Sequence, residues 1–163
     1  MVVIRKARVD DIRAITDIYN DAIANTVATF DMEQKTIEEQ QDWYNSHDPM
    51  HPILVAVQED EVAGWASLSS YSGRCGYSDT AEISVYVRDG YRGRGIGKKL
   101  TEMVLQAGRN AGLHTVIARI ENGNKVSIHI FGQFGFEYVG VMREVGHKFG
   151  RLLDVSIMQL IYR

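Results

Sequence analysis

The chain has 163 residues, a length that fits one domain with a real core and is short for two. Apolar residues make up 45% and charged residues 24%, and the formal net charge of -3 argues against a protein held on nucleic acid by a basic face. Cys75 is the only cysteine, which excludes an intrachain disulfide and a cysteine-built zinc site.

Residues 1–163 read as a single domain with no repeat and no linker. The N-terminus, "MVVIRKARVDD", lacks the apolar core of a signal peptide. No apolar run nears the roughly 18 residues that span a bilayer. A soluble cytoplasmic protein without a membrane partner is expected.

Val2 to Arg8 reads as a short strand. Asp10 or Asp11 then offers an N-cap to a helix in which Ile12, Ile15, Tyr19, Ala22 and Ile23 recur at helical spacing. Thr36-Ile37-Glu38-Glu39 has the form of a capping box and opens a second helix holding Trp43 and Tyr44, closed by Asp48-Pro49. "PILVAVQEDEVAGWASLSS" reads as two strands around an acidic turn at Glu59 to Glu61. Gly73 and Gly76 punctuate a loop, and "TAEISVYVR" alternates as a third strand. Ile96, Leu100, Met103, Val104, Ala107 and Ala111 make one apolar helical stripe, ended by Gly112. "HTVIARI" is a strand and "NGN" a turn. Ser127 to Phe134 forms a short helix stopped by Gly135, and "FEYVGVM" and "LLDVSIMQLIY" are the last strands. This order predicts a mixed α+β fold around a single sheet.

Between the third strand and the long helix lies "VYVRDGYRGRGIGKKL". A P-loop would need glycine at position 92 and Ser or Thr at 99, where the chain has Arg92 and Lys99. The dinucleotide fingerprint fails as well, because Lys98 stands where its third glycine belongs. Arg92, Gly95 and Gly97 meet a third pattern, R-x-x-G-x-G. Glycines let successive N–H groups converge on one point, and the following helix adds unpaired N-terminal donors and partial positive charge. Such a turn holds an anion.

This stretch resembles the acetyl-CoA pyrophosphate loop of the GNAT superfamily of N-acetyltransferases. "IYNDAIANTVATFD", "TIEEQQDWY", "TAEISVYV", "NKVSIHIFGQFGF" and "KFGRLLDVSIMQ" extend the likeness to the phosphinothricin N-acetyltransferase branch. The resemblance implies a central twisted mixed sheet flanked by helices, acetyl-CoA as cosubstrate, and a homodimer. It implies acetylation of the α-amine of amino-acid-like molecules such as phosphinothricin, methionine sulfoximine or methionine sulfone. Arg92, Gly93, Arg94, Gly95, Ile96, Gly97 and Lys98 would hold the phosphates, with Lys99 adding charge. The backbone of Val85, Tyr86 and Val87 would hold the acetyl and pantetheine portion, with an oxyanion donor near Val87. Asn124 and Ser127 would line the cofactor.

Amine acetylation needs a base, and alternation on "AEISVYV" sets Glu82, Ser84 and Tyr86 on one face, opposite Ala81, Ile83, Val85 and Val87. The branch places its glutamate at the position of Glu82, which would bind the acceptor and act directly or through water. The competing reading is a solvated glutamate. Where many relatives carry tyrosine or histidine to protonate the leaving thiolate, this chain has Phe131, which leaves the proton source open. Arg74, in "SGRCGYSD", is the expected carboxylate partner for the acceptor, and Phe30 a pocket wall. A solvated loop arginine and a core aromatic are the alternatives. The five histidines show no metal-binding spacing, so no metal is expected. His147, Lys148 and Arg151 receive no assignment. The leading reading is direct transfer to an amino-acid-like amine in a ternary complex. A polyamine, an antibiotic or a protein N-terminus is the alternative acceptor, and a non-catalytic acyl-CoA sensor or a nucleotide-binding domain the alternative class.

Overall fold

Eleven regular elements follow one another along the chain: β1 (Val2–Lys6), α1 (Ile12–Asn25), α2 (Ile37–Asn45), β2 (Ile53–Gln58), β3 (Glu61–Ser70), β4 (Thr80–Val87), α3 (Ile96–Ala111), β5 (Thr115–Glu121), α4 (Lys125–Gln133), β6 (Glu137–Lys148) and β7 (Arg151–Ile161). They come from a computed structural model that describes residues 1–163. The seven strands form one sheet in the order β1-β2-β3-β4-β5-β7-β6. All neighbours are antiparallel except β4 and β5. The mixed α+β architecture is the one expected from the order of the elements.

Both faces of the sheet are covered, so β2 reads as a continuous apolar run rather than an alternating one. Leu54, Ala56, Ala66 and Leu68 join a cluster with Ile96, Leu100, Val104 and Phe131 of α3 and α4. Their neighbours Ile53, Val55 and Trp65 point the other way and pack with Ile15 and Ile18 of α1. Two tight turns use left-handed residues in pairs. Glu59 and Asp60 join β2 to β3, and Phe149 and Gly150 join β6 to β7. Both have the two positive φ angles of a type I′ hairpin turn.

The capping box forms as expected, with Thr36 Oγ1 accepting from Glu39 N at 3.1 Å and Glu39 Oε1 accepting from Thr36 N at 3.2 Å. Five expectations are corrected. The first strand stops at Lys6, and Asp11 holds the N-cap position of α1 without capping it by its side chain: the carboxylate accepts from Arg8 N and pairs with Arg5, both at 2.7 Å. The buried stripe of α3 runs through Leu105 and Gly108, leaving Met103 42% exposed. Gly108 sets that angle, since a Cβ there would stand 2.5 Å from Leu68 Cδ1. The last helix begins at Lys125, two residues earlier than its apolar pattern, because Asn124 caps it. Finally, β6 continues past Met142 to Lys148 across an irregularity that sets Arg143, Glu144 and Val145 opposite Asp154. Glu144 takes a φ of 56° there and donates its N–H to Asp154 Oδ1 at 2.8 Å.

Candidate active site

The sheet opens where β4 and β5 part. They pair only through Thr80, Ala81 and Glu82 against Thr115, Val116 and Ile117. Beyond that point β4 stays bonded to β3 as far as Val87, while β5 follows β7. Tyr71 N donates to Thr80 O, and Arg88 N to Ala63 O. Antiparallel alternation therefore directs the main-chain groups of the even-numbered β4 residues to β3. Those of Ile83, Val85 and Val87 point into the gap.

A cleft of about 560 Å³ runs from this gap to the N-terminus of α3. Val85, Tyr86 and Val87 line one end, and Arg92, Gly93, Gly95, Ile96, Gly97 and Lys98 the other. Gly93 and Gly95 take φ of 78° and 79°, and a Cβ on either would meet nothing within 4 Å, so the main chain faces open space. Gly95 is the N-cap of α3 and offers no side chain to its first-turn N–H groups. Those donors are left for a ligand, and an anion suits them. Arg92 and Lys98 supply full positive charge beside them. Arg94 sits over the Tyr91 ring at 5.2 Å and does not line the cleft. Lys99 reaches Val2 O at 3.4 Å.

A second cleft, of about 590 Å³, lies on the other side of the opening. Ala28, Val85, Tyr86, Asn124, Ser127 and Phe131 line both, so the two are continuous at the parted strands. Glu82, Phe30, Tyr19, Asp31 and Arg119 line the second cleft and not the first. Glu82 is not free: Arg119 Nε and Nη2 donate to its two oxygens, each at 2.7 Å. Asn124 Oδ1 accepts from Ser127 N at 3.2 Å and fixes the start of α4 at the junction. Phe131 is buried against Phe136, with ring centroids 5.1 Å apart. His129 is exposed and reaches neither cleft.

The wall carrying Ala28 and Phe30 is the loop after α1, and it is held from beneath. Lys148 is buried and donates from Nζ to Thr26 O and Thr29 O, both at 2.8 Å. Burial lowers the Lys148 pKa, opposed in part by the charge of Asp31. The Tyr19 hydroxyl donates to the Asp31 carboxylate and lies 3.0 Å from Thr29 Oγ1. Burial, with that bond to Asp31, pushes the Tyr19 pKa well up. The Tyr86 hydroxyl donates to Ala28 O at 3.4 Å, and burial raises its pKa to about 12, so it stays protonated at neutral pH.

The profile of the Acetyltransferase (GNAT) family matches residues 14–136, which takes in the parted strands, the glycine turn and α4. The chain belongs to the GNAT acetyltransferase family. It is 42% identical over 159 residues to an L-methionine sulfoximine/L-methionine sulfone acetyltransferase of Pseudomonas aeruginosa, covering 96% of this chain and 92% of that one. It is 38% identical over 159 residues to a phosphinothricin N-acetyltransferase of Streptomyces coelicolor, covering 95% and 93%. A Salmonella typhimurium protein, solved with its cofactor acetyl-CoA, superposes with a TM-score of 0.96 at 35% identity over 99% of this chain and 94% of that one. The fold is the GNAT fold, and the protein is an acetyltransferase.

As a GNAT enzyme it needs room for acetyl-CoA, and the first cleft fits that molecule's chemistry. Unpaired helix N–H groups, a side-chain-free turn and two cations suit a diphosphate, and the open edge of β4 suits an amide-bearing chain. Of the residues expected on the cofactor, all but Arg94 and Lys99 line this cleft. Of those expected on the acceptor, Glu82 and Phe30 line the second, while Arg74 stands in an adjoining hollow with Tyr71, Ser72, Tyr77 and Arg119. Sequence reasoning missed Arg119, Tyr19, Asp31 and Lys148. Arg119 had a signal: it is the one charge inside "TVIARI", and alternation puts it on the side chain face of Ile117, the partner of Glu82.

Proposed function

We propose that this enzyme moves the acetyl group of acetyl-CoA to the α-amine of an amino-acid-like small molecule, of the methionine sulfone, methionine sulfoximine or phosphinothricin type, by direct transfer in a ternary complex. The observation that carries the reading is the meeting of two clefts at the open edge of β4, one ending in an anion cradle and the other holding a carboxylate. When bound, acetyl-CoA supplies an acetyl group activated as a thioester.

The chain supplies placement and charge. The first-turn N–H groups of α3, with Arg92 and Lys98, hold the diphosphate. The open main chain of Val85 and Val87 holds the adjoining amide-bearing arm. An N–H near Val87 meets the negative charge that develops on the acetyl oxygen. Glu82 takes the proton of the amine, directly or through one water, so that nitrogen attacks as a neutral nucleophile. Phe131 has no proton to give at the junction, and a thiol with an ordinary pKa of about 8.5 leaves near neutral pH without one. Holding amine and thioester together supplies much of the rate.

The proposal includes a homodimer. β6 is an edge strand, and Tyr138, Val139, Val141, Met142 and Val145 on it are exposed. Met142 and Val145 also line the acceptor cleft, so a second copy seated there covers the site. The cytoplasm is the proposed location, where acetyl-CoA is at hand and the exposed Cys75 stays reduced.

The test is thiol release from acetyl-CoA with a panel of amino acids, their sulfones and sulfoximines, and polyamines. A strong kcat/KM preference for acceptors with an α-carboxylate is expected. Preference for polyamines overturns the acceptor assignment.

A further inference from the structure

Arg119 binds Glu82 through one edge of its guanidinium, Nε and Nη2. The other edge, Nη1 with the second hydrogen of Nη2, has no protein acceptor, and the side chain is 54% exposed. Arginine presents five donors in a rigid fork, and a second bidentate partner fits the unused edge. Arg119 is also the residue shared by the acceptor cleft and the hollow of about 380 Å³ that holds Arg74. Each Glu82 oxygen keeps lone-pair capacity after accepting one hydrogen bond.

We propose that Arg119 and Glu82 together read a zwitterion. The free edge of Arg119 takes the α-carboxylate of the acceptor, and Glu82 takes the neighbouring ammonium. An acid and a base locked side by side are the complement of an α-amino acid, whose ammonium and carboxylate are one carbon apart. Arg119 is thus a specificity residue for the carboxylate and a positioning residue for Glu82. This rests on the amino-acid acceptor proposed above. An amine without the carboxylate leaves the free edge to water and loses a charge-assisted pair. A purely structural alternative makes the ion pair a staple across the start of the strand opening.

The experiment compares L-methionine sulfone with 3-(methylsulfonyl)propan-1-amine, the same molecule without its carboxylate, on the wild-type enzyme, Arg119→Gln and Arg119→Lys. Wild type should favour the amino acid in kcat/KM by at least about tenfold. Arg119→Gln should raise KM for the amino acid by at least about tenfold and lower the kcat/KM preference for the amino acid over the decarboxylated amine by a similar factor, while the loss of kcat that both substrates share reads the positioning of Glu82. Arg119→Lys, which keeps a cation and loses the fork, should shift the same way by less. Equal losses on both substrates make the pair a staple and overturn the inference. So does wild type that accepts both equally, in which case acetyl transfer to amines still stands. Wild type that acetylates polyamines and neither of these two overturns the acceptor reading itself, and this inference with it.

Discussion

The ring of Phe30 fills the space that a side chain on Gly146 would need. A Cβ at residue 146 would stand 2.3 Å from Phe30 Cε2 and 2.6 Å from Cδ2. Glycine is required there for closeness and not for backbone shape, since the residue lies outside the left-handed region. Gly146→Ala therefore acts first on Phe30 and pushes it toward the acceptor cleft. Acceptor KM should rise by roughly fivefold to tenfold while the acetyl-CoA Kd moves less than about twofold. Steady-state kinetics beside calorimetric titration of acetyl-CoA checks this, and an unmoved KM takes Phe30 out of the acceptor wall.

Lys148 holds the same wall by charge. Its Nζ satisfies two loop carbonyls, Thr26 O and Thr29 O. Lys148→Met keeps the stem and leaves both carbonyls short of a partner, at a cost of about 1–3 kcal/mol. Urea unfolding should show that loss, and acceptor KM should rise with it. A variant as stable as wild type would mean that water replaces the ammonium.

Asp11 contributes stability that depends on pH. Burial pushes its carboxyl upward, but the bonds from Arg5 and the Arg8 N–H outweigh burial, and the net shift is below the ordinary 3.8. A depressed carboxyl pKa stabilises the fold above the unfolded value, and that contribution is lost as pH falls from there through the lowered folded value. At pH 7, Asp11→Asn should cost about 1–2 kcal/mol in urea unfolding. The gap between variant and wild type should close as pH drops below about 4. A gap that persists at low pH assigns the effect to shape instead of charge.

What the sequence made legible was local. Period-two alternation marked β4 and the face of Glu82, Thr36 and Glu39 announced their capping box, and glycines at 93, 95 and 97 marked the cradle. What escaped was set by distant partners. Glu82 and Arg119 are 37 residues apart and meet only because β4 and β5 are parallel neighbours. Lys148 meets its carbonyls across 122 and 119 residues. β6 outran its pattern because three residues bulge opposite one, which breaks alternation. Met103 failed because Gly108 turned the buried face of α3 toward Leu68, a contact invisible in a helical period.

Gly95 is the sharpest test of the anion cradle. Its φ of 79° is left-handed, and its missing side chain leaves the turn open. Gly95→Val adds a β-branched side chain where the backbone disfavours one, at about 1–2 kcal/mol or more, and fills the open space. The acetyl-CoA Kd should rise at least about tenfold, read by titration calorimetry on protein whose circular dichroism is unchanged. Unaltered affinity in folded protein places the diphosphate elsewhere.

Glu82→Gln separates chemistry from binding. The amide keeps the size of the side chain and one acceptor for Arg119, but it takes no proton from the amine. Turnover should fall by about a hundredfold or more at pH 7, within the usual range for a lost general base, while acetyl-CoA affinity stays put because Glu82 lines only the acceptor cleft. The deficit should shrink as pH rises, because a growing share of the amine is then neutral without help. A pH-rate profile of variant against wild type decides the matter. A deficit of constant size across that range would mean that Glu82 orients the amine and that another group, or solvent, removes the proton.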